Sequence, residues 1–101
     1  MEPTRPVSAS ETYVAAKEQV SCDLGEEVAI LNLKNGVYYG LDPVGAKVWK
    51  LIQKPRTFNQ IRDSLLAEYD VDPGRCERDL SALLRKLADQ RLLDVQDEPH
   101  P

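Results

Sequence analysis

The stretch Val28–Pro43, VAILNLKNGVYYGLDP, decides the fold of this 101-residue chain. Its first part, Val28–Lys34, is rich in aliphatic residues and predicts a β-strand. Asn35-Gly36 is the strongest short hairpin signal, because both central residues of a type I′ turn need positive φ. Val37–Leu41 is then the returning strand. The stretch therefore predicts two antiparallel strands joined by a two-residue turn.

The last two residues of the stretch predict the start of a helix. Asp42 can cap free backbone N–H groups, and Pro43 suits the first helical position, where its missing N–H costs nothing. The same pair recurs at Asp72-Pro73, which opens a third helix, while Thr57 and Gln60 fit a capping box that opens the second. Each of the three predicted helices carries apolar residues at helical spacing.

The order of the predicted elements is three strands followed by three helices. Tyr13–Leu24 supplies the first strand, and Gly25 ends it. This order indicates an α+β fold with the helices on one face of a three-stranded antiparallel sheet. The last two helices are joined by a short turn and can form a helix-turn-helix unit. We predict one domain over residues 13–95, between disordered tails at residues 1–12 and 96–101.

Composition and charge exclude several classes of function. The net charge is −4 with a pI near 4.9, which argues against a nucleic-acid partner held by phosphate contacts. No apolar run is long enough to cross a bilayer and no signal peptide is visible, so we expect a cytoplasmic protein.

Catalytic and metal-binding patterns are also missing from the sequence. The single histidine, His100, lies next to the C-terminus, and the two cysteines, Cys22 and Cys76, have no plausible base or ligand partner. The glycines match neither a phosphate loop nor a dinucleotide turn. We therefore expect no enzyme activity, no metal and no cofactor.

The strand Val37–Leu41 is predicted to be an edge strand with an accessible backbone. Residues that flank a two-residue turn form a hydrogen-bonded pair, and bonded and non-bonded pairs then alternate. Val37, Tyr39 and Leu41 should therefore bond to the neighbouring strand, while Tyr38 and Gly40 direct their backbone groups outward.

Two interpretations of this edge remain open on the residue pattern. Lysine, proline and inward-pointing charges, which usually protect an edge strand, are absent between Val37 and Leu41. An extended peptide could add there as a further strand. A strand of only five residues can equally be a passive edge, with Gly40 accommodating a bend.

The run VYYGLDPVGAKVWKLI, residues 37–52, resembles the PqqD-like family. In that family a strand ending in Leu-Asn or Leu-Asp leads into a helix of the form G-A-x-x-W, and Leu41-Asp42, Gly45-Ala46 and Trp49 occupy those places. The later segments also resemble the family, with a second helix that ends in Tyr-Asp-Val, a third helix and a leucine-rich close. The resemblance covers about Val14–Val95.

The resemblance implies a precursor-peptide recognition element for ribosomally made, post-translationally modified peptides (RiPPs). Such domains have a small winged-helix-like fold and bind a leader peptide between the third strand and the third helix. Among discrete members, the chain is most similar to those of lasso-peptide pathways, where a leader-removing cysteine protease and a cyclase act. The resemblance implies that the strand residues Val37, Tyr38, Tyr39, Gly40 and Leu41 bind the peptide. It leaves open which flank of the third helix faces the groove, and there we predict Arg75, Cys76, Asp79, Leu83 and Lys86.

Three alternatives stay open at this point. The first is a chaperone for the radical-SAM enzyme of pyrroloquinoline quinone formation, and the second is a homodimer that uses the same edge. The third is a winged-helix DNA-binding protein. Charge argues against DNA, because Pro73–Gln90, which contains the third helix, holds four basic and three acidic residues.

Overall fold

The structure of the protein, a computed structural model, describes residues 11–17 and 19–96. None of the helices in those residues combines the length and the apolar character needed to cross a membrane. Six strands and three helices follow one another in the described chain: β1 (Thr12–Ala15), β2 (Gln19–Leu24), β3 (Glu27–Asn32), β4 (Tyr38–Leu41), α1 (Pro43–Leu51), β5 (Arg56–Thr57), α2 (Phe58–Glu68), α3 (Pro73–Asp89) and β6 (Leu93–Gln96).

The strands form two small antiparallel sheets rather than one. One sheet has the order β2-β3-β4, and the other has the order β5-β1-β6. The α+β class and the three helices are confirmed, but the prediction of one three-stranded sheet that precedes all the helices is wrong. The winged-helix likeness stays a prediction.

The predicted first strand, Tyr13–Leu24, is divided between the two sheets. Its first half, β1, pairs with β6 at the far end of the chain, with Tyr13 opposite Val95. The Ala15 N–H also donates to the carbonyl of Ile52 at 2.7 Å, which ties β1 to the end of α1. These partners are distant in sequence, so the local pattern could not reveal the division.

The predicted tails lie mostly outside the described residues. β1 begins at Thr12 and β6 ends at Gln96, so residues 1–10 and 97–101 are the parts of the tails that the structure does not describe.

The β3–β4 hairpin has a different turn from the predicted one. Tyr38 lies opposite Leu31 rather than Leu33, so the register is shifted by two residues and the loop spans residues 33–36. The Asn32 side chain explains the change: its Oδ1 accepts from the Lys34 N–H at 2.8 Å and its Nδ2 donates to the Gln90 carbonyl at 2.9 Å. Because the shift is even, the backbone groups of β4 keep their predicted inward and outward directions.

The helix-start predictions are confirmed. Asp42 Oδ1 accepts from the Gly45 N–H at 2.8 Å, and Asp72 caps α3 in the same way. Both hydrogen bonds of the Thr57–Gln60 capping box are present. These caps fix where the helices begin, and the apolar faces then pack into one core with the inner faces of both sheets.

Candidate functional site

β4 has an unpaired outer edge, because no other strand in the described chain pairs with that side. The Asn32 N–H donates to the Val37 carbonyl at 3.0 Å, which makes those two residues a hydrogen-bonded pair. Bonded and non-bonded pairs alternate along an antiparallel ladder. Tyr39 therefore bonds to β3, whereas the backbone groups of Tyr38 and Gly40 point outward, the same pattern that the sequence predicted.

The side chains of β4 divide between the core and the surface. Tyr39 packs against the core, and Leu41 is buried. Tyr38 is 71% exposed on the outer face. A Cβ at Gly40 would meet no atom within 4 Å, so the outer face of the sheet is open at this position. The fold itself does not require glycine there.

An apolar cavity of about 190 Å³ lies between the start of α1, the end of α2 and the first half of α3. It is just beyond the point where β4 runs into α1, since Val44 belongs to its wall. Three of the predicted site residues line it, and six others were not predicted. The lining consists of Cys76, Asp79 and Leu83 together with Val44, Val48, Leu65, Tyr69, Val71 and Leu80.

For one of the six cavity-lining residues that were not predicted, Val44, the sequence contained a usable signal. Helical spacing places Val44 on one face of the first helix with Val48, Leu51 and Ile52. The structure buries Val48 and Ile52 but leaves Val44 43% exposed at the cavity mouth. An apolar residue directly after the Asp42-Pro43 cap was the available clue. Leu65 of α2 and Tyr69 and Val71 of the α2–α3 turn reach the cavity through tertiary packing alone, so no local sequence pattern indicates them.

The thiol of Cys76 is buried at the wall of this cavity. Burial raises the pKa of Cys76 above the ordinary thiol value, and the nearby carboxylates of Glu77 and Asp79 act in the same direction. Cys76 is therefore a neutral apolar surface near neutral pH rather than a nucleophile.

The charged residues of α3 that we predicted for the site have different surroundings. Arg75 and Asp79 form an exposed i,i+4 ion pair at 3.6 Å, and Arg75 does not line the cavity. Lys86 lies against β4, with its Nζ 5.6 Å from the centre of the Tyr39 ring. The Tyr39 hydroxyl is buried, and the described chain gives it no hydrogen-bond partner.

A larger crevice of about 810 Å³ lies elsewhere, between the two sheets and the end of α3. Its lining combines charged side chains with Ala16, Asn32, Ala88, Leu93 and Val95, and it includes no residue of α1 or α2. In residues 11–17 and 19–96, no three His, Cys, Asp or Glu side chains are grouped so that they could hold a metal ion.

The site as a whole is an edge strand beside an apolar cavity. β4 leads directly into α1, whose Val44 and Val48 line the cavity together with residues of α3. Farther along α3, Lys86 lies over the Tyr39 ring of β4. Such an arrangement can supply backbone hydrogen bonds to an extended chain and an apolar pocket to one of its side chains.

Comparison with known proteins gives the chain a family and a fold. The family model described as Coenzyme PQQ synthesis protein D (PqqD) matches residues 27–93. The solved structure of TbiB1 in complex with the TbiA(beta) leader peptide is 40% identical, covers 80% of this chain and 94% of its own, and has a TM-score of 0.76.

A second solved structure, a lasso peptide synthetase B1 complexed with the leader peptide, shares the fold. It is 20% identical, with a TM-score of 0.72, and the match covers 81% of this chain and 96% of that one. No curated protein sequence matches the chain. The family model spans more than half of the 101-residue chain, from the start of β3 to the start of β6, and on that match the chain belongs to the PqqD family.

Proposed function

We propose that the protein is a non-catalytic adaptor that binds the leader segment of a ribosomally made precursor peptide. The leader adds as a strand to the free edge of β4, with α3 as the second wall of the groove. The adaptor then delivers the precursor to a processing enzyme, for which a leader-removing protease of a lasso-peptide pathway, with its cyclase, is the best candidate.

The observation that carries this proposal is the open edge of β4 beside an apolar cavity. Tyr38 and Gly40 offer outward backbone groups, and strand addition uses such groups for affinity while neighbouring pockets select side chains. The cavity of about 190 Å³ is large enough for one apolar side chain.

The relatives support a leader peptide as the guest. TbiB1, at 40% identity, is a protein whose solved structure contains a leader peptide. The lasso peptide synthetase B1 structure also contains a leader peptide, and its likeness to this chain supports the fold. We favour a lasso-peptide pathway over pyrroloquinoline quinone formation because the sequence most resembles the discrete family members of lasso-peptide pathways. The matching family model is named after pyrroloquinoline quinone synthesis.

Delivery requires a second surface that stays exposed while the leader is bound. The outer face of the β2-β3-β4 sheet is such a surface: Val20, Leu31 and Tyr38 lie side by side across its three strands. Val20 and Tyr38 are both more than half exposed. A peptide strand next to β4 would extend this face, so an enzyme that docks there would contact both adaptor and precursor.

Binding is tested by fluorescence anisotropy with labelled leader peptides of the precursors encoded beside this gene. We expect saturable binding of one leader and no comparable binding of a random DNA duplex. Addition of the adaptor should also raise the rate at which the neighbouring protease cleaves that precursor. Tight DNA binding with no leader binding would refute the proposal.

A matched pair of variants on α3 locates the site. Leu83 lines the cavity, whereas the adjacent Ala82 is exposed and lines a separate depression. Leu83→Gln should weaken leader binding about tenfold, because a buried apolar contact is worth on the order of 1.5 kcal/mol. Ala82→Gln should leave the affinity within about twofold. Equal effects of the two changes would place the leader elsewhere.

A further inference from the structure

We propose that Lys86 is a specificity-determining residue that binds a carboxylate of the leader peptide. The carboxylate lies two or four residues after the apolar side chain that enters the cavity. This inference rests on the proposed function and adds the chemistry and direction of the peptide that the groove accepts.

The contacts of the groove walls set the direction. Tyr39, near the start of β4, lies under Lys86 in the last turns of α3. Val44, which follows β4, lines the cavity together with Cys76 and Leu80 in the first half of α3. β4 and α3 therefore run in opposite directions along the groove. A peptide that adds antiparallel to β4, like every pairing in the described sheets, runs in the direction of α3.

Lys86 differs from Arg75, the other predicted cation of the site, in having no ion-pair partner among residues 11–17 and 19–96. Arg75 is neutralised by Asp79. The Lys86 ammonium lies over the Tyr39 ring instead, where the cation–π contact holds the charge at the groove with its other donors available.

The spacing follows from helix and strand geometry. Six residues separate Leu80 at the cavity from Lys86, which corresponds to about 9 Å along the helix axis. An extended peptide covers that distance in roughly three residues. Because only every second side chain faces the same way, the carboxylate falls two or four positions after the apolar residue. The accepted leader is therefore apolar first and acidic later.

The experiment uses charge reversal on both partners. The probe is the labelled leader of the precursor encoded beside the gene, and a set of variants in which each Asp or Glu is replaced by Lys in turn. Lys86→Glu should weaken binding of the unmodified leader about tenfold, since both the attraction and its reversal contribute. One peptide variant, with its change two or four positions after an apolar residue, should restore most of the affinity. The loss should shrink at high salt.

Arg85→Glu is the matched control. Arg85 is the adjacent residue on α3 and carries the same charge change, but it lines a separate depression with Arg78 and Ser81. It should change the affinity by less than about threefold, and the peptide that rescues Lys86→Glu should not rescue it. Thermal unfolding of both variants checks that each is folded.

The outcomes separate this inference from the proposed function. In one outcome the natural protein binds the leader, Lys86→Glu and Arg85→Glu weaken binding equally, and no peptide variant restores it. That result would overturn the role of Lys86 but not the adaptor function. Rescue by an acid placed before the apolar residue would overturn the direction. Absence of any leader binding by the natural protein would overturn both.

Discussion

Methylation of single backbone amides in β4 tests whether the leader adds as a strand. N-methylation at Gly40 removes an outward N–H and places a methyl group where the added strand would lie, only about 4.8 Å away. A net hydrogen bond contributes about 0.5–1.5 kcal/mol, and the methyl group blocks the close approach as well. We expect the leader affinity to fall at least tenfold, with a similar loss for methylation at Tyr38.

The stability of the protein without leader should be affected by methylation at Tyr39 and not by methylation at Gly40. The Gly40 N–H points to the side of β4 with which no strand of the described chain pairs, so its methylation should leave the free energy of unfolding nearly unchanged. The Tyr39 N–H belongs to the bonded pair with Ile30. Its methylation breaks a ladder bond and leaves a buried carbonyl unpaired, which costs about 1–3 kcal/mol of stability.

The modified chains can be assembled by chemical ligation at Cys22 and Cys76, which flank the segment that contains β4. Denaturant unfolding gives the stability, and anisotropy with the labelled leader gives the affinity. If methylation at all three positions affects binding equally, or if Gly40 methylation destabilises the fold as much as Tyr39 methylation, the register argument is wrong.

Two further predictions concern Cys76 and Asn32. At pH 7.5, iodoacetamide should modify the exposed Cys22 at least tenfold faster than Cys76, because Cys76 is buried and burial raises its pKa. A higher pH should speed the modification of Cys76, because it increases the fraction of thiolate. A saturating concentration of leader peptide should slow the modification of Cys76, measured by mass spectrometry, and leave the modification rate of Cys22 unchanged. An unchanged modification rate of Cys76 would argue against the cavity as part of the site. Asn32→Ala should destabilise the protein by about 1–3 kcal/mol in denaturant unfolding, because two short hydrogen bonds of a buried side chain are lost. Asn35→Ala, which removes one exposed bond, should cost less than about 1 kcal/mol, and equal costs would contradict the role given to Asn32.

Several parts of the fold could be predicted from the sequence because they depend on residues close in the chain. Asp42-Pro43, Asp72-Pro73 and the Thr57–Gln60 box start the three helices where expected. The alternation along β4 was predicted correctly even though the turn was not. A register error of two residues preserves which backbone groups point outward.

The rest depended on contacts between residues far apart in sequence. Asn32 closes a four-residue loop because its amide also reaches the carbonyl of Gln90 at the end of α3, so Asn35-Gly36 does not form the two-residue turn by itself. β1 separates from β2 because it finds β6, about eighty residues later in the chain.

For this protein, the sequence alone determined the helix starts, the α+β class, the open β4 edge and the family. Those features come from local hydrogen bonding and side-chain periodicity, which act over a few residues. Only the tertiary structure decided that Tyr39 faces inward, that Val44 is at a cavity rather than in the core, and that Lys86 alone of the predicted cations reaches β4. Each of these depends on how the helices pack against one another and against β4, and that packing is fixed by the shared core rather than by any one segment.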